Sequence, residues 1–207
     1  MSEEYAKLDT IHLDALREVG NIGAGNAATV FSQLLGKKVT MTVPNVYILP
    51  LNKVAEVIGG ADHLIVGIYL KVFGDAPGNI LFTFSQESAG FLSEILTKKT
   101  SYSSAALTEE MQKSALQEFG NILTSAYLNA LSTFTNLIML PSVPALARDM
   151  AGAILDIVLI RLGQAGDYAL VIETTFNAEG NQINGHFFLI PEPGSLSMLL
   201  KAVGVET

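Results

Sequence analysis

Two pairs of polar side chains in this 207-residue sequence have the spacing of a shared functional patch. Glu18 and Asn21 are three positions apart, as are Glu118 and Asn121. Side chains three apart on a helix project over the same patch of surface. Because a carboxamide both donates and accepts hydrogen bonds, an asparagine can hold a water molecule in line with an electrophile without being a strong base. Such chemistry suits a substrate that is already activated.

An aspartyl phosphate is a substrate of this kind, because it is a mixed anhydride with a good leaving group. Phosphoryl transfer depends on positioning and charge neutralisation more than on covalent help. The glutamate can then hold a lysine of the phosphorylated partner and fix its approach. The chain has no cysteine, and its three histidines lie far apart without metal-ligand spacing, so this reaction suits the residues present.

The motif around the first pair recurs one hundred positions later without a gap. The two copies read Asp14-x3-Glu18-x2-Asn21-x22-Pro44 and Ser114-x3-Glu118-x2-Asn121-x22-Pro144. Either pair alone is best explained as part of an ordinary solvated helix face. Recurrence in register with a distant proline favours a function instead. We assign the prolines a scaffold role, in which they position a loop beside each helix.

Each motif lies on a long amphipathic helix predicted from a 3.6-residue period. The first helix runs from Leu8 to Leu35, and Thr108 caps the second. Their predicted buried faces are Leu16, Val19, Gly23, Ala27, Val30 and Leu34 in the first, and Leu116, Phe119, Leu123, Tyr127, Ala130 and Phe134 in the second. Glycine costs about 1 kcal/mol relative to alanine in a helix interior. Gly20 and Gly120 therefore indicate either close packing or a partner surface that reaches the helix backbone.

The rest of the chain predicts short strands and helices in each half. Strands are predicted at 39–43, 64–73, 80–84, 137–140, 153–161, 168–176 and 184–190, and short helices at 52–58, 86–96, 145–150 and 194–203. Arg148 and Asp149 are interpreted as an exposed helix end, with a partner contact as the alternative. The polar segment 98–105 is the predicted junction between the halves.

These elements predict an α+β fold, an internally duplicated pseudo-twofold α/β sandwich. Its sheet is largely antiparallel, because the strands are joined by short turns, and it is covered by two long motif-bearing helices. We expect residues 1–207 to form a single domain made of two repeats, at about 8–100 and 108–203, that share one core. The duplicated halves can satisfy each other within one chain, so a monomer is expected.

The composition is that of a compact globule, with 49% hydrophobic and 15% charged residues. The net charge of -8 argues against nucleic acid as a partner, because phosphate binding needs a basic face. The first residues lack the pattern of a secretory signal. The longest strongly apolar stretch, Ala153 to Ile160, is interrupted by Asp156 and is too short to span a bilayer. We expect a cytoplasmic protein without membrane insertion.

The doubled motif resembles that of the CheC family of chemotaxis phosphatases, which is related to CheX and to the phosphatase domain of FliY. The resemblance covers nearly the whole chain, including the strings GNIGAGN at 20–26 and IPEPG at 190–194. It implies hydrolysis of the aspartyl phosphate of the response regulator CheY. It further implies that Asn21 and Asn121 orient the attacking water, and that Glu18 and Glu118 contact the regulator. The magnesium ion is then expected in the regulator, with no cofactor bound by this chain.

The resemblance also implies binding to CheD, a receptor-modifying deamidase. Two intact motifs favour CheC over CheX, which usually keeps one. Two other hypotheses stay open: a non-catalytic chemotaxis adaptor that binds CheY or CheD, and a scaffold associated with the flagellar switch. The copies differ beside the motif, where Gly23, Gly25 and Asn26 are matched by Leu123, Ser125 and Ala126. Equal activity at the two sites is therefore not expected.

Overall fold

The same order of elements, α-β-β-α-β-β-α, occurs twice along the chain. The computed structural model describes residues 10–97, 108–162, 168–178, 180–192 and 194–202. The first half consists of α1 (Thr10–Leu35), β1 (Val39–Thr42), β2 (Val46–Pro50), α2 (Val54–Val57, after a 3-10 turn at Leu51–Lys53), β3 (Leu64–Gly74), β4 (Gly78–Ser85) and α3 (Gln86–Thr97). The second half consists of α4 (Glu109–Thr135), β5 (Met139–Pro141), β6 (Ala145–Met150), α5 (Ala151–Leu162), β7 (Tyr168–Ala178), β8 (Asn181–Pro191) and α6 (Ser195–Ala202). The predicted duplication is confirmed.

The eight strands form one antiparallel sheet in which the halves exchange strands. Its order is β1-β7-β8-β4-β3-β5, with β2 also paired to β7 and β6 also paired to β3. The hairpins β3–β4 and β7–β8 meet at the centre, where β4 pairs with β8. Each hairpin is then completed by the two short strands of the other half. The predicted α+β, largely antiparallel fold is confirmed.

The two faces of the sheet carry separate layers of helices. The face beneath α1, α3, α4 and α6 has the larger core, in which Phe31, Phe119 and Phe176 pack together. The other face is covered by α2 and α5 over a smaller core that includes Leu81 and Phe188. No helix among the described residues has the length and apolar character needed to cross a membrane.

The ends of the motif-bearing helices follow local signals. Gly36, at φ 65°, terminates α1, which ends at Leu35 as predicted. The hydroxyl of Thr108 caps α4 by accepting a hydrogen bond from the Met111 N–H at 3.3 Å, also as predicted. The described part of α1 begins at Thr10, so the predicted start at Leu8 lies outside the described residues. The predicted junction at 98–105 lies outside them as well.

The buried faces of the two helices differ in part from the prediction. Val30, Leu34 and Phe134 were predicted to be buried, but they are exposed by 42%, 44% and 47%. The reason is that α1 and α4 pack on each other as well as on the sheet. The buried face of α1 is therefore centred on Phe31 rather than on Val30 and Leu34. The Phe31 ring stacks on Phe119 with 4.8 Å between centroids.

Packing explains most of the helix glycines. A Cβ on Gly23 would lie 2.8 Å from a ring atom of Tyr127, so its absence lets the two helices approach closely. Gly20 and Gly120 are buried against Val43 and Ile68, which supports the packing interpretation of both. Gly25 is different, because nothing lies within 4 Å of the space that a Cβ would fill.

The sequence prediction was wrong for two neighbouring elements of the second half. The predicted helix at 145–150 is strand β6, and the predicted strand at 153–161 lies within helix α5. β6 pairs with β3 and exposes Arg148 and Asp149, and charges are common on edge strands. In α5, Ala151, Ile154 and Leu155 are buried, which is the i, i+3, i+4 pattern of a helix.

Candidate functional site

Both motifs lie on the outward side of their helices. Glu18 and Glu118 are exposed, whereas Asn21 and Asn121 are half-buried. Within the described part of the chain, neither glutamate has a hydrogen-bond or ion-pair partner. Each copy therefore presents a free carboxylate next to a carboxamide.

In the first copy, Asn21 binds the backbone just before the motif proline. Its Oδ1 accepts from the Val43 N–H at 3.0 Å, and its Nδ2 donates to the Val43 carbonyl at 3.4 Å. The Nδ2 also donates to the Arg17 carbonyl at 3.1 Å. These bonds fix Pro44 beside the helix, and Val43 is only 3% exposed. Both amide hydrogens of Asn21 are engaged, which leaves one lone pair of Oδ1.

Two further side chains of α1 contribute to the first copy. The Ser32 hydroxyl accepts from the Val39 N–H at 3.0 Å and holds the start of β1. Asp14 forms an ion pair with Arg17 at 3.0 Å, with both side chains about half exposed. Exposed pairs of this kind add little stability. The structure thus places Asp14 in a surface ion pair one turn before Glu18.

In the second copy, another residue holds the proline segment. Gln117 Nε2 donates to the Pro144 carbonyl at 3.0 Å. Asn121 makes no side-chain hydrogen bond within the described residues. Val143 is 86% exposed, in contrast to Val43. The second copy therefore has an open proline segment and an asparagine whose donors and acceptor are all available.

Gln117 was not among the residues singled out from the sequence. A signal was nevertheless present, because it occupies the same position in its copy as Arg17 and falls in the unspecified part of the motif. Ser114, the counterpart of Asp14, is exposed. Among the described residues, no group of three or more histidine, aspartate or glutamate side chains is placed to hold a metal ion.

Comparisons with known proteins show the family to which the chain belongs. A model of the CheC-like family matches residues 11–48 and 111–148, the two motif-bearing segments. The chain is 36% identical to the CheY-P phosphatase CheC of Bacillus subtilis over 197 residues, 94% of each chain. It is 28% identical over 130 residues to the flagellar motor switch phosphatase FliY of the same organism. The aligned region covers 63% of this chain and 34% of that protein.

Solved structures share the fold at low sequence identity. The crystal structure of Thermotoga maritima FliY superposes with a TM-score of 0.77 at 17% identity, covering 96% of this chain and 98% of that one. The FliM middle domain of H. pylori superposes with a TM-score of 0.69 at 9% identity, covering 94% of this chain and 99% of that one. These likenesses concern the fold alone.

Proposed function

Because this chain belongs to the CheC-like family, we propose that it is a chemotaxis phosphatase that hydrolyses the aspartyl phosphate of a phosphorylated CheY-type regulator. The name of the Bacillus subtilis relative supports this substrate, and similarity over 94% of both chains includes both motifs. The observation that carries the proposal is the in-register recurrence of an exposed glutamate beside a half-buried asparagine on two equivalent helices.

In the proposed reaction, a water molecule attacks phosphorus while the bond to the aspartate oxygen breaks. The products are inorganic phosphate and the free aspartate carboxylate. Asn121 accepts a hydrogen bond from this water through Oδ1 and thereby orients it, while Nδ2 is free to donate to a phosphoryl oxygen. Asn21 has the same role in the first copy, with only its remaining Oδ1 lone pair available.

Glu18 and Glu118 are proposed to bind the regulator rather than to take part in proton transfer. Both are exposed and unpaired among the described residues, so each can accept hydrogen bonds from a lysine of the docked protein. We expect the magnesium ion of the reaction to be held by the regulator's own acidic pocket. Pro44 and Pro144 keep the scaffold role, since the backbone at or next to each is held by the motif helix.

Phosphate release from a phosphorylated receiver domain with magnesium tests the proposal. Substoichiometric protein should release phosphate over many turnovers. The double variant Asn21→Ala, Asn121→Ala should lower the added activity about a hundredfold, which brings phosphate release close to the regulator's own rate. The double variant Asn26→Ala, Asn129→Ala is a matched control, because both asparagines are exposed on the same helices at positions that the motif leaves unspecified. If the motif variant hydrolyses as fast as wild type, the mechanism is wrong.

The expected partners are the phosphorylated regulator and a CheD-type deamidase, and the chain is expected to act as a cytoplasmic monomer. Release of only stoichiometric phosphate, with stable binding to either partner, would instead identify an adaptor. Co-purification with motor components without phosphatase activity would identify a flagellar-switch scaffold. Light scattering of the purified chain, alone and with the deamidase, measures both the oligomeric state and the complex.

A further inference from the structure

A polar cleft of about 280 Å³ opens on the sheet face opposite the motif-bearing helices. Strands β3, β4 and β8 supply most of its lining, together with Ile58 and His63 from the connection between α2 and β3, and Ser88 at the start of α3. None of the lining residues belongs to α1 or α4. The cleft is therefore a different site from either motif, and the proposed phosphatase reaction does not use it.

The lining of the cleft is polar but carries no carboxylate, lysine or arginine. Hydroxyls, carboxamides and the imidazoles of His63 and His186 stand beside the buried apolar side chains of Ile58 and Ile65. Burial lowers the pKa of His186, against a smaller upward effect of Glu173, and this favours the neutral form of the imidazole. Because no carboxylate, lysine or arginine lines the cleft, a charged ligand would lose water there without a direct counter-ion, which favours an uncharged one.

Two of the lining groups have unused hydrogen-bonding capacity. Thr83 is 1% exposed, and its Oγ1 has no hydrogen-bond partner. A buried hydroxyl without a partner costs about 1–3 kcal/mol, so a purely structural role would be better served by valine. The Asn184 Oδ1 accepts from Thr175 and from Gln182, which leaves the amide hydrogens of Asn184 available to a ligand.

We propose that this cleft binds a small, uncharged, planar heterocycle of the nucleobase class. Such a molecule has apolar faces and an edge that carries both donors and acceptors. Its faces match Ile58 and Ile65, and its edge matches the Thr83 hydroxyl, the Asn184 amide and the neutral imidazole of His186. Pockets with mostly preformed walls and a few convergent polar groups are typical of small-molecule sites.

Titration of the 207-residue protein with free adenine, cytosine and uracil, monitored by NMR, tests the proposal. At least one base should shift the amide signals of Thr83 and His186 saturably, while inorganic phosphate should not. Thr83→Val, of nearly the same shape, should weaken that binding about tenfold. Thr124→Val is the matched control, because Thr124 is the other buried hydroxyl without a partner among the described residues and lies outside the cleft.

The proposal is overturned if no base binds, if phosphate binds in place of the bases, or if Thr83→Val and Thr124→Val bind the base equally. Should circular dichroism show that Thr83→Val is unfolded, Asn184→Ala takes its place. Asn184 is exposed, so its truncation should leave the fold intact. Unchanged affinity in that variant would equally exclude the proposed site.

Discussion

The two copies of the motif carry the same glutamate, asparagine and proline but hold the proline segment with different side chains. In the first copy, the catalytic candidate Asn21 itself binds Val43. In the second copy, Gln117 binds Pro144, and Asn121 is left without a partner among the described residues. The same residues in two repeats therefore need not make the same hydrogen bonds. We expect the second copy to be the more active site.

The largest effect should come from removing the free asparagine. Asn121→Ala should lower steady-state phosphate release about tenfold or more, because it removes the side chain with its full hydrogen-bonding capacity. Asn21→Ala should lower it less than about twofold, since most of that carboxamide is already engaged. Turnover measured for each single variant tests whether the second copy is the more active site. Equal losses of turnover would show that the two copies contribute equally.

The two asparagine variants should rank in the opposite order when stability is measured instead of turnover. Asn21→Ala leaves the N–H and carbonyl of Val43 without their side-chain partner, so the free energy of unfolding should fall by about 1–3 kcal/mol. Asn121→Ala should change it by less than about 0.5 kcal/mol. Urea denaturation of the two variants provides the comparison. A larger loss for Asn121→Ala would contradict the assignment of the anchoring role to Asn21.

A smaller effect on turnover is expected at Gln117. Gln117→Ala removes the bond to the Pro144 carbonyl, and a bond of this kind is worth about 1 kcal/mol, or roughly fivefold in rate. Gln117→Arg keeps an N–H donor of similar reach and should restore most of the turnover. Arg17→Ala, at the same position of the first copy, is the control and should change turnover little. Failure of Gln117→Arg to rescue would indicate that the alanine variant acts by another route.

The smallest effect is expected at Gly25, where the copies also differ. Gly25→Ala should raise the free energy of unfolding by about 0.5–1 kcal/mol, because the position is helical and open. Urea denaturation measures this gain, and a decrease would show that the space is not open. A gain in stability accompanied by a loss of turnover would show that the regulator contacts the helix backbone of the first copy at Gly25.

Much of the fold was predictable because its elements are specified locally. The long helices follow from periodicity and the Thr108 cap, and the β3–β4 hairpin follows from the short gap between the strands predicted at 64–73 and 80–84. The exchange of helix and strand at 145–162 was not predictable from the apolar run Ala153–Ile160, because periodicity alone does not distinguish a short buried strand from a buried helix segment, and the β-branched residues of the run favour a strand. The repeat itself held the missing signal, since residues 152–158 align with the short helix predicted at 52–58.

The site was predictable in its residues but not in its bonding. Glutamate, asparagine and proline were identified because they recur at fixed spacing. Whether an asparagine binds the proline segment depends instead on contacts across twenty-two residues of chain, and those contacts differ between the copies. The exposure of Val143 against the burial of Val43 likewise results from tertiary structure that two identical valines do not encode.

The exchange of strands between the halves bears on how this chain can be divided. Because β1 and β2 complete the β7–β8 hairpin, and β5 and β6 complete the β3–β4 hairpin, either half alone would present unpaired strand edges and an uncovered apolar face. Two fragments severed near residue 103 should therefore reassociate into one complex when mixed. One half expressed alone could fold stably only as a homodimer, in which the short strands of each protomer pair with the hairpin of the other.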